Sequence, residues 1–347
     1  MRYVDRYVRE HYRRVWIRSG TYSKLLEICD KPLVDCIDEL VGLAELPDRI
    51  FEEIKRALPR TEAKLIMYPG GDHHIKDELL SIALRAPIER GTFVEVFGGS
   101  GVMVQLVPRT RFPNVVYNDI DKDLVALHRL VKKNPDLLAS VLYLIPYSRY
   151  VRAYISRSLA GRELGELLGA AMMFYLLNSG FFGLRDAGLG MTIKPGRSHA
   201  RRYLSHIAAV YEAAKRLRDV TIECLSFEEV MRKYDSETTL FYLDPPYLQV
   251  EGGAHRSDFY RHSFTPGDVA RLVRILKSLR GHFMLKIHED NERFYKDVPT
   301  AGRVVVTKKL LMEMKRGEER RTFNYVILTS YRLAGRLGEI QGRFSSQ

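Results

Sequence analysis

Asp244-Pro245-Pro246-Tyr247 follows directly on an apolar run, Leu240-Phe241-Tyr242-Leu243, and this junction fixes the chemistry on offer. A short run rich in β-formers and bounded by breakers reads as a buried strand. Neither proline can continue a ladder, since each lacks a backbone donor and holds a fixed φ. The chain therefore leaves the sheet at Asp244, and the acid and the Tyr247 ring emerge together at the strand's carboxyl end. In open α/β sheets that edge is where ligands bind. A carboxylate acceptor, a proline carbonyl and a flat ring for stacking suit a planar heterocycle carrying an exocyclic amine.

Other elements must bring a second ligand to the same edge. Thr92–Phe97 reads as a strand running into Gly98-Gly99-Ser100-Gly101, and Val115–Asp121 as a second strand ending in Asn118, Asp119, Ile120 and Asp121. Glycines between strand and helix let the backbone approach a nucleotide-like ligand, and an acid roughly 20 residues on suits ribose hydroxyls. The spacing is not the dinucleotide fingerprint, and no P-loop Lys-Ser pair for a triphosphate is present. Upstream, Pro69-Gly70-Gly71 marks a tight turn inside Lys64–His74, with a helix expected over about 75–84.

From about Leu124 to Asp219 the pattern is mostly helical and basic, with arginines interleaved among Tyr and Phe. Leu177–Arg185, continued by Gly188, Gly190 and Pro195-Gly196, reads as a long non-helical segment, the kind of loop that tends to be functional. Cations beside aromatics suit phosphate contact and base stacking. Most arginines before residue 170 read instead as a solvated helical face. Strands are expected at 220–224, 240–243, 282–287, 303–307 and 322–330, with a helix at 266–279. Alternating strands and helices argue a largely parallel sheet covered on both faces, ending in an antiparallel hairpin. Asp258–Phe264 reads as a polar-aromatic loop.

The 347 residues allow one large domain with an insertion or two domains, and 46% hydrophobic residues can bury a sizeable core. A formal charge of +12 points to a polyanionic partner, nucleic acid first. Cys29, Cys36 and Cys224 lack the paired spacing of a zinc site or disulfide framework, and His73, His74, His262 and His288 match no metal pattern, so no metal is expected. With no signal core and no apolar stretch long enough for a membrane span, cytoplasmic residence and no membrane contact are expected. Residues 2–18 read as a basic amphipathic helix that either lies on a nucleic-acid backbone or presents a solvated face.

The ordered set YPGG at 68–71, FVEVFGGSG at 93–101, YNDID at 117–121, LNSGFFGLR at 177–185 and DPPY at 244–247 resembles the Dam-type family of DNA adenine N6-methyltransferases. The resemblance runs from about Lys64 to Arg332. It implies a Rossmann-like class I methyltransferase α/β sheet with helices on both faces, a helical target-recognition insertion and an N-terminal helical extension. The expected parts are the basic extension at 1–62, cofactor-binding at 63–130, target recognition at 131–219, catalysis at 220–335 and a mobile tail at 336–347.

By the same resemblance, Tyr68, Pro69, Gly70, Gly71, Glu95, Val96, Phe97, Gly99, Ser100, Gly101, Asn118, Asp119, Ile120, Ser226, Phe227 and Asp244 would hold S-adenosyl-L-methionine, released as S-adenosyl-L-homocysteine. Asn178, Phe181, Phe182, Arg185, Arg197, Arg201 and Arg202 would meet duplex DNA. Asp244, Pro245, Pro246 and Tyr247 form the catalytic motif: Asp244 and the Pro245 carbonyl accept the two N6 hydrogens of a flipped-out adenine, and Tyr247 stacks on it. A companion restriction endonuclease is compatible with this reading. Alternatives are a cytosine N4 or RNA adenine methyltransferase, or a catalytically impaired DNA-binding relative. Four positions depart from the family's pattern. Asp72 stands where Lys is usual, with Lys76 a conceivable substitute; Val96 replaces Pro and Phe182 replaces Asn; and Lys286 ends a strand where a small polar residue is common.

Overall fold

Short β-branched and aromatic runs form seven strands, β1 Thr92–Glu95, β2 Asn114–Asn118, β3 Val220–Glu223, β4 Thr239–Leu243, β5 His282–His288, β6 Gly302–Lys309 and β7 Thr322–Thr329. The computed structural model describes residues 64–68, 70–159, 165–185, 187–190, 198–249, 264–309 and 322–333. The expectations for 1–62, Pro69, Arg197, the tail from 336 and nearly all of the 258–264 loop lie outside the described residues, as does the Phe182 side chain. The chain forms two units. One combines the residues up to Pro69 with Ala126–Arg218, and the other joins Gly70–Val125 to the residues from Asp219 onward.

The second unit carries the sheet, ordered β3-β2-β1-β4-β5-β7-β6. The pairs β1·β2, β1·β4, β2·β3 and β4·β5 are parallel, whereas β7 runs antiparallel to β5 and to β6. This is the expected α/β, Rossmann-like arrangement with its terminal hairpin, and β7 is inserted between β5 and β6. Helices α1 Lys76–Ala83 and α2 Val102–Leu106 belong to this unit, and α3 Lys122–Lys133 runs from it into the other. Later in the chain, α8 Phe227–Tyr234 and α9 Pro266–Ser278 complete the sheet unit. Capping boxes fix where α8 and α9 begin, Ser226 with Glu229 and Thr265 with Asp268, and Pro266 sits in the first turn where its missing donor costs nothing.

Period-2 alternation divides the strands into two faces with different tasks. Val94, Val96, Phe241, Leu243, Phe283, Leu285, Ile287, Val326 and Leu328 turn to one side and bury against Val230 and Met231 of α8 and Leu272 and Leu276 of α9. Burying each such side chain contributes roughly 1.5–3 kcal/mol, so this face anchors the sheet. Glu95, Tyr242 and Lys286 occupy the opposite alternation.

The first unit is helical: α4 Pro135–Leu144, α5 Arg149–Leu159, α6 Glu166–Ser179 and α7 His199–Leu217. Every residue of α6 from Leu168 to Ser179 is buried, as a helix apolar on all sides requires. The expected non-helical segment therefore starts later than its sequence suggests. Leu177–Ser179 complete α6, and the chain then turns through Gly180 into a 3₁₀ turn at Phe181–Gly183 and a bridge between Gly180 and Leu189. Residues 64–68 belong here rather than with the sheet. Asn178 of α6 accepts from Met67 N–H at 2.9 Å and donates to the Leu65 carbonyl at 3.1 Å, while His206 of α7 bonds the Lys64 carbonyl at 2.6 Å. Among the described residues no helix is long and apolar enough to cross a membrane.

One arginine departs from the solvated-face expectation for this region. Arg149 and Arg157 are exposed, but Arg152 is only 3% exposed. Its guanidinium donates to the carbonyls of Leu176, Leu184, Arg185 and Ala187 and to Ser179 Oγ, at 2.7–2.8 Å. The negative C-terminal end of α6 and the carbonyls of the segment that follows it converge on this cation, and the planar fork reaches several at once. Arg152→Met should lower the denaturant midpoint by an amount equivalent to about 2–4 kcal/mol, because several buried carbonyls lose donors together. Arg152→Lys should recover only part of this, since an ammonium cannot span the same acceptors; equal stability of the Arg152→Lys variant and the wild-type protein in urea titration would refute the assignment.

Candidate active site

Strand order reverses between β1 and β4, the chain moving outward to β2 after one and to β5 after the other. A crevice opens at such a switch point, at the carboxyl ends of the strands. The Gly98–Gly101 turn leaves β1 there, with Gly99 and Gly101 at φ of 50° and 63°, conformations that L side chains rarely adopt. At Gly98 the constraint is space, since a Cβ would lie 2.3 Å from the Tyr117 ring. Asp119 follows β2, its carboxylate accepting from Gly99 N–H and Asp121 N–H, both at 2.8 Å. It remains only half-buried, and the Ile120 side chain beside it is 51% exposed.

Several residues expected at the cofactor turn out to shape this cradle through their side chains. Asn118 donates to the Val96 and Leu225 carbonyls and accepts from Leu225 N–H, tying together the loops after β1, β2 and β3. Val96 points into the core, and the Ser226 hydroxyl is engaged in the α8 capping box. Phe97, Phe227 and Phe264 form a trio with ring centroids 5.6–5.8 Å apart. Ser100 lies in the turn, half-buried.

The opposite face of the sheet carries a buried polar cluster. Glu95 is opposite Tyr242 in the parallel register, and Leu243 opposite Leu285, so the next residues along each chain, Asp244 and Lys286, meet side by side. Lys286 Nζ lies 2.7 Å from Asp244 Oδ2, contacts Asp72 Oδ1 and donates to the Gly70 carbonyl at 3.2 Å. An ammonium has three donors, and these acceptors match them. The Lys286 side chain is fully buried, with the Tyr325 ring 5.1 Å from its nitrogen. Tyr242 donates to Asp72 Oδ2 at 2.5 Å, and Tyr247 donates to Asp244 Oδ1 at 3.1 Å. Deleting one member of a buried, fully bonded pair generally costs about 3–5 kcal/mol, because the other charge is stranded.

The departures at Asp72 and Lys286 thus explain one another: the acid after the paired glycines and the lysine on β5 form an ion pair. Lys286 also lies within β5 rather than at its end. Tyr242 and Asn291 carry no motif that singles them out in the sequence. Asn291 accepts from Leu248 N–H and donates to the Leu248 carbonyl, which fixes the chain just beyond Tyr247. Alternation back from Asp244 would have found Tyr242; nothing local marks Asn291.

Electrostatics at the cluster follow from burial. Burial raises the Asp244 carboxyl to about 7, with Lys286 pulling it down and Asp72 pushing it up. Burial also lifts Glu95 well above the usual carboxylate range, against the bond it accepts from Val104 N–H at 2.8 Å and with Asp72 adding to the rise. For Lys286 burial works toward deprotonation, but Asp244 and Asp72 outweigh it and the ammonium is held. The Asp244 side chain keeps 18% of its surface accessible, whereas Tyr247 is 6% exposed, its ring tilted toward His288. Among the described residues no group of three or more His, Cys, Asp or Glu side chains could hold a metal ion.

The expected nucleic-acid residues lie in the helical unit. Phe181 is 54% exposed, Arg185 half-buried, and Arg201 and Arg202 are exposed in the first turn of α7. Asn178 is the exception, 3% exposed with its amide holding 65–67, so its side chain shapes the unit from within. Tyr68 is half-buried in the same unit, while Gly70 and Gly71 belong to the sheet unit.

Residues 68–312 match the family of D12 class N6 adenine-specific DNA methyltransferases. The chain is also 23% identical over 220 residues to the Type II methyltransferase M.MjaIII of Methanocaldococcus jannaschii, covering 58% of this chain and 75% of the relative. It is 24% identical over 226 residues to the Type II methyltransferase M.CviBI of Paramecium bursaria Chlorella virus NC1A, covering 64% and 82%. With the family match spanning most of the chain and the DPPY motif at the sheet's switch point, the protein belongs to the D12 class of N6 adenine-specific DNA methyltransferases.

Proposed function

We propose that this enzyme transfers a methyl group from S-adenosylmethionine to N6 of an adenine flipped out of duplex DNA, with Asp244, Pro245 and Tyr247 at the reacting amine. The observation that carries this reading is the emergence of Asp244–Tyr247 from β4 beside the Gly98–Gly101 turn and Asp119. The donor set fits the cofactor. Asp119 offers carboxylate lone pairs for ribose hydroxyls, Ile120 and Phe97 offer apolar surface for a base, and the side-chain-free turn permits close approach. When bound, S-adenosylmethionine supplies an electrophilic methyl group and departs as neutral S-adenosylhomocysteine.

The chain's own residues prepare the amine. Adenine N6 is a poor nucleophile because its lone pair is delocalised into the ring. An ionised Asp244 accepts one N6 hydrogen and the Pro245 carbonyl the other, which favours a pyramidal nitrogen with its lone pair directed outward. Holding the amine in that geometry replaces an entropically costly encounter. A base inside a duplex is out of reach of such a site, so the adenine is extruded and stacks against an aromatic ring, the role given to Tyr247. Phe181, Arg185, Arg201 and Arg202 supply an exposed ring and cations suited to bases and phosphates. A DNA substrate fits residence in the cytoplasm, and relatives named as Type II methyltransferases favour pairing with a restriction endonuclease.

Incubation with methyl-labelled S-adenosylmethionine and mixed duplex DNA, followed by digestion to nucleosides, should yield labelled N6-methyladenine. Label in N4-methylcytosine, or its absence, would reject the reading. Asp244→Ala should reduce transfer by about 10²–10³-fold or more while cofactor affinity, measured by calorimetry, changes little. Because Asp244 must be ionised and its carboxyl sits at about 7, kcat/KM should fall as pH drops below about 7. A flat profile down to about pH 5 would contradict the role of its carboxylate.

A further inference from the structure

Lys286 is the residue in the sheet whose presence the proposed chemistry does not by itself require. A lysine in the middle of an apolar strand, with no exposed surface, needs compensation at every donor. Its three donors meet Asp72, Asp244 and the Gly70 carbonyl, so the ammonium is held in a single orientation. Asp244 is correspondingly fixed from both sides, Oδ2 on Lys286 and Oδ1 under the Tyr247 hydroxyl. Each carboxylate oxygen still has a second lone pair, and the accessible part of the side chain is where a substrate amine can be met.

We propose that Lys286 is a positioning residue for methyl transfer, an internal counter-ion tethered by Asp72 that keeps the Asp244 carboxylate ionised and fixes its orientation toward the substrate amine. The inference rests on Asp244 being the acceptor of an N6 hydrogen. Without the ammonium, a carboxylate in this setting would hold its proton, and a carboxylic acid whose proton points outward cannot accept from the amine. The tether matters because Asp72 engages Lys286 with one oxygen and Tyr242 with the other, setting where the ammonium stands. Asp72 also opposes Lys286 electrostatically, since its negative charge favours the protonated form of Asp244.

Among the described residues, the groups facing Asp244 come from several elements. Lys286 is on β5, Asp72 in the 3₁₀ turn before α1, Tyr242 on β4 itself and Glu95 on β1. Tyr295 from the turn after β5, Tyr325 on β7 and Tyr247 in its own loop join them. Tyr242, Tyr295 and Tyr325, with pKa values raised above their ordinary range by burial, do not titrate near neutrality where the effect is read. Lys286 and Asp72 therefore push the same carboxyl in opposite directions.

The test is the pH dependence of methyl transfer into duplex DNA from labelled S-adenosylmethionine, read between about pH 5.5 and 9. Lys286→Met should lower kcat/KM at neutral pH by at least tenfold and move the acidic limb upward by about one pH unit or more, with activity partly recovered in alkali. Asp72→Asn should move the same limb downward. Lys286→Arg, which keeps the charge, should leave the limb nearer wild type than Met does. A purely structural role would lower activity equally at all pH values in both charge-removing variants, and that outcome, or limb shifts of the same sign, overturns the proposal. If Lys286→Met fails to fold, Asp72→Asn and the Asp72→Asn/Lys286→Met double variant decide it: the double variant's limb must lie above that of Asp72→Asn. Absence of adenine methylation in the wild-type protein would instead reject the underlying function, so the two failures are distinguishable.

Discussion

An ammonium removed from water on the face of a β-sheet is unstable unless each of its hydrogens finds an acceptor, and Lys286 imposes that condition on everything around it. Asp72, Gly70 and Asp244 must converge within hydrogen-bond distance, which requires the turn before α1 to close over β5 and the chain to leave β4 immediately after Leu243. The prolines at 245 and 246 enforce that exit. Parallel register does the rest, since Leu243 paired with Leu285 leaves Asp244 and Lys286 adjacent. Because breaking a buried pair strands a charge at a cost of about 3–5 kcal/mol, the site is held together by the same bonds that order it.

Much of the architecture is legible in the sequence because it rests on local signals. Apolar runs bounded by Gly and Pro locate most of the strands to within a residue or two, and the helix expected at 266–279 forms at Pro266–Ser278. Asp244–Tyr247, the glycine turn and Asp119 are legible as residues of one sheet edge because each follows a strand, and strand ends in such sheets converge. The apolar run predicts a first strand through Phe97, two residues beyond its end in the structure. Val96 and Phe97 are as apolar as the strand before them, but they bury beyond the last ladder pair.

What is not legible depends on contacts distant in sequence. Asp72 and Lys286 each look anomalous alone, and only their meeting across more than two hundred residues makes them compatible. Arg152 looks like one more surface arginine among many, since nothing in α5 records that the carbonyls after α6 will fold around it. Asn178 sits in a stretch that otherwise reads as a loop for DNA contact, but helix α6 continues through it and turns its amide onto residues 65–67. For Lys286 and Asn178 a polar side chain in an apolar run is the available clue. Such a residue must have a partner, although sequence does not say which.

The balance of charge at the site bears on how an enzyme with buried acids handles a polyanion. Asp72, Glu95 and Asp244 gather on one sheet face, and three unprotonated carboxylates there would repel phosphate and one another. Burial, with Asp72 and Asp244 adding to it, raises Glu95 well above the usual carboxylate range, while the Lys286 ammonium lies against both Asp72 and Asp244. Of the three, Asp244 keeps the most accessible side chain, 18% against 7% for Asp72, and Glu95 is buried. The chain carries an excess of 12 positive charges that acts at longer range, and Arg149, Arg157, Arg201 and Arg202 of the helical unit are exposed. Separating attraction for the polymer from acceptance at the amine lets each be tuned by different residues. The groups that set the ionisation of Asp244, namely Lys286, Asp72 and Tyr247, belong to the sheet unit, and the exposed arginines of the helical unit are not among them.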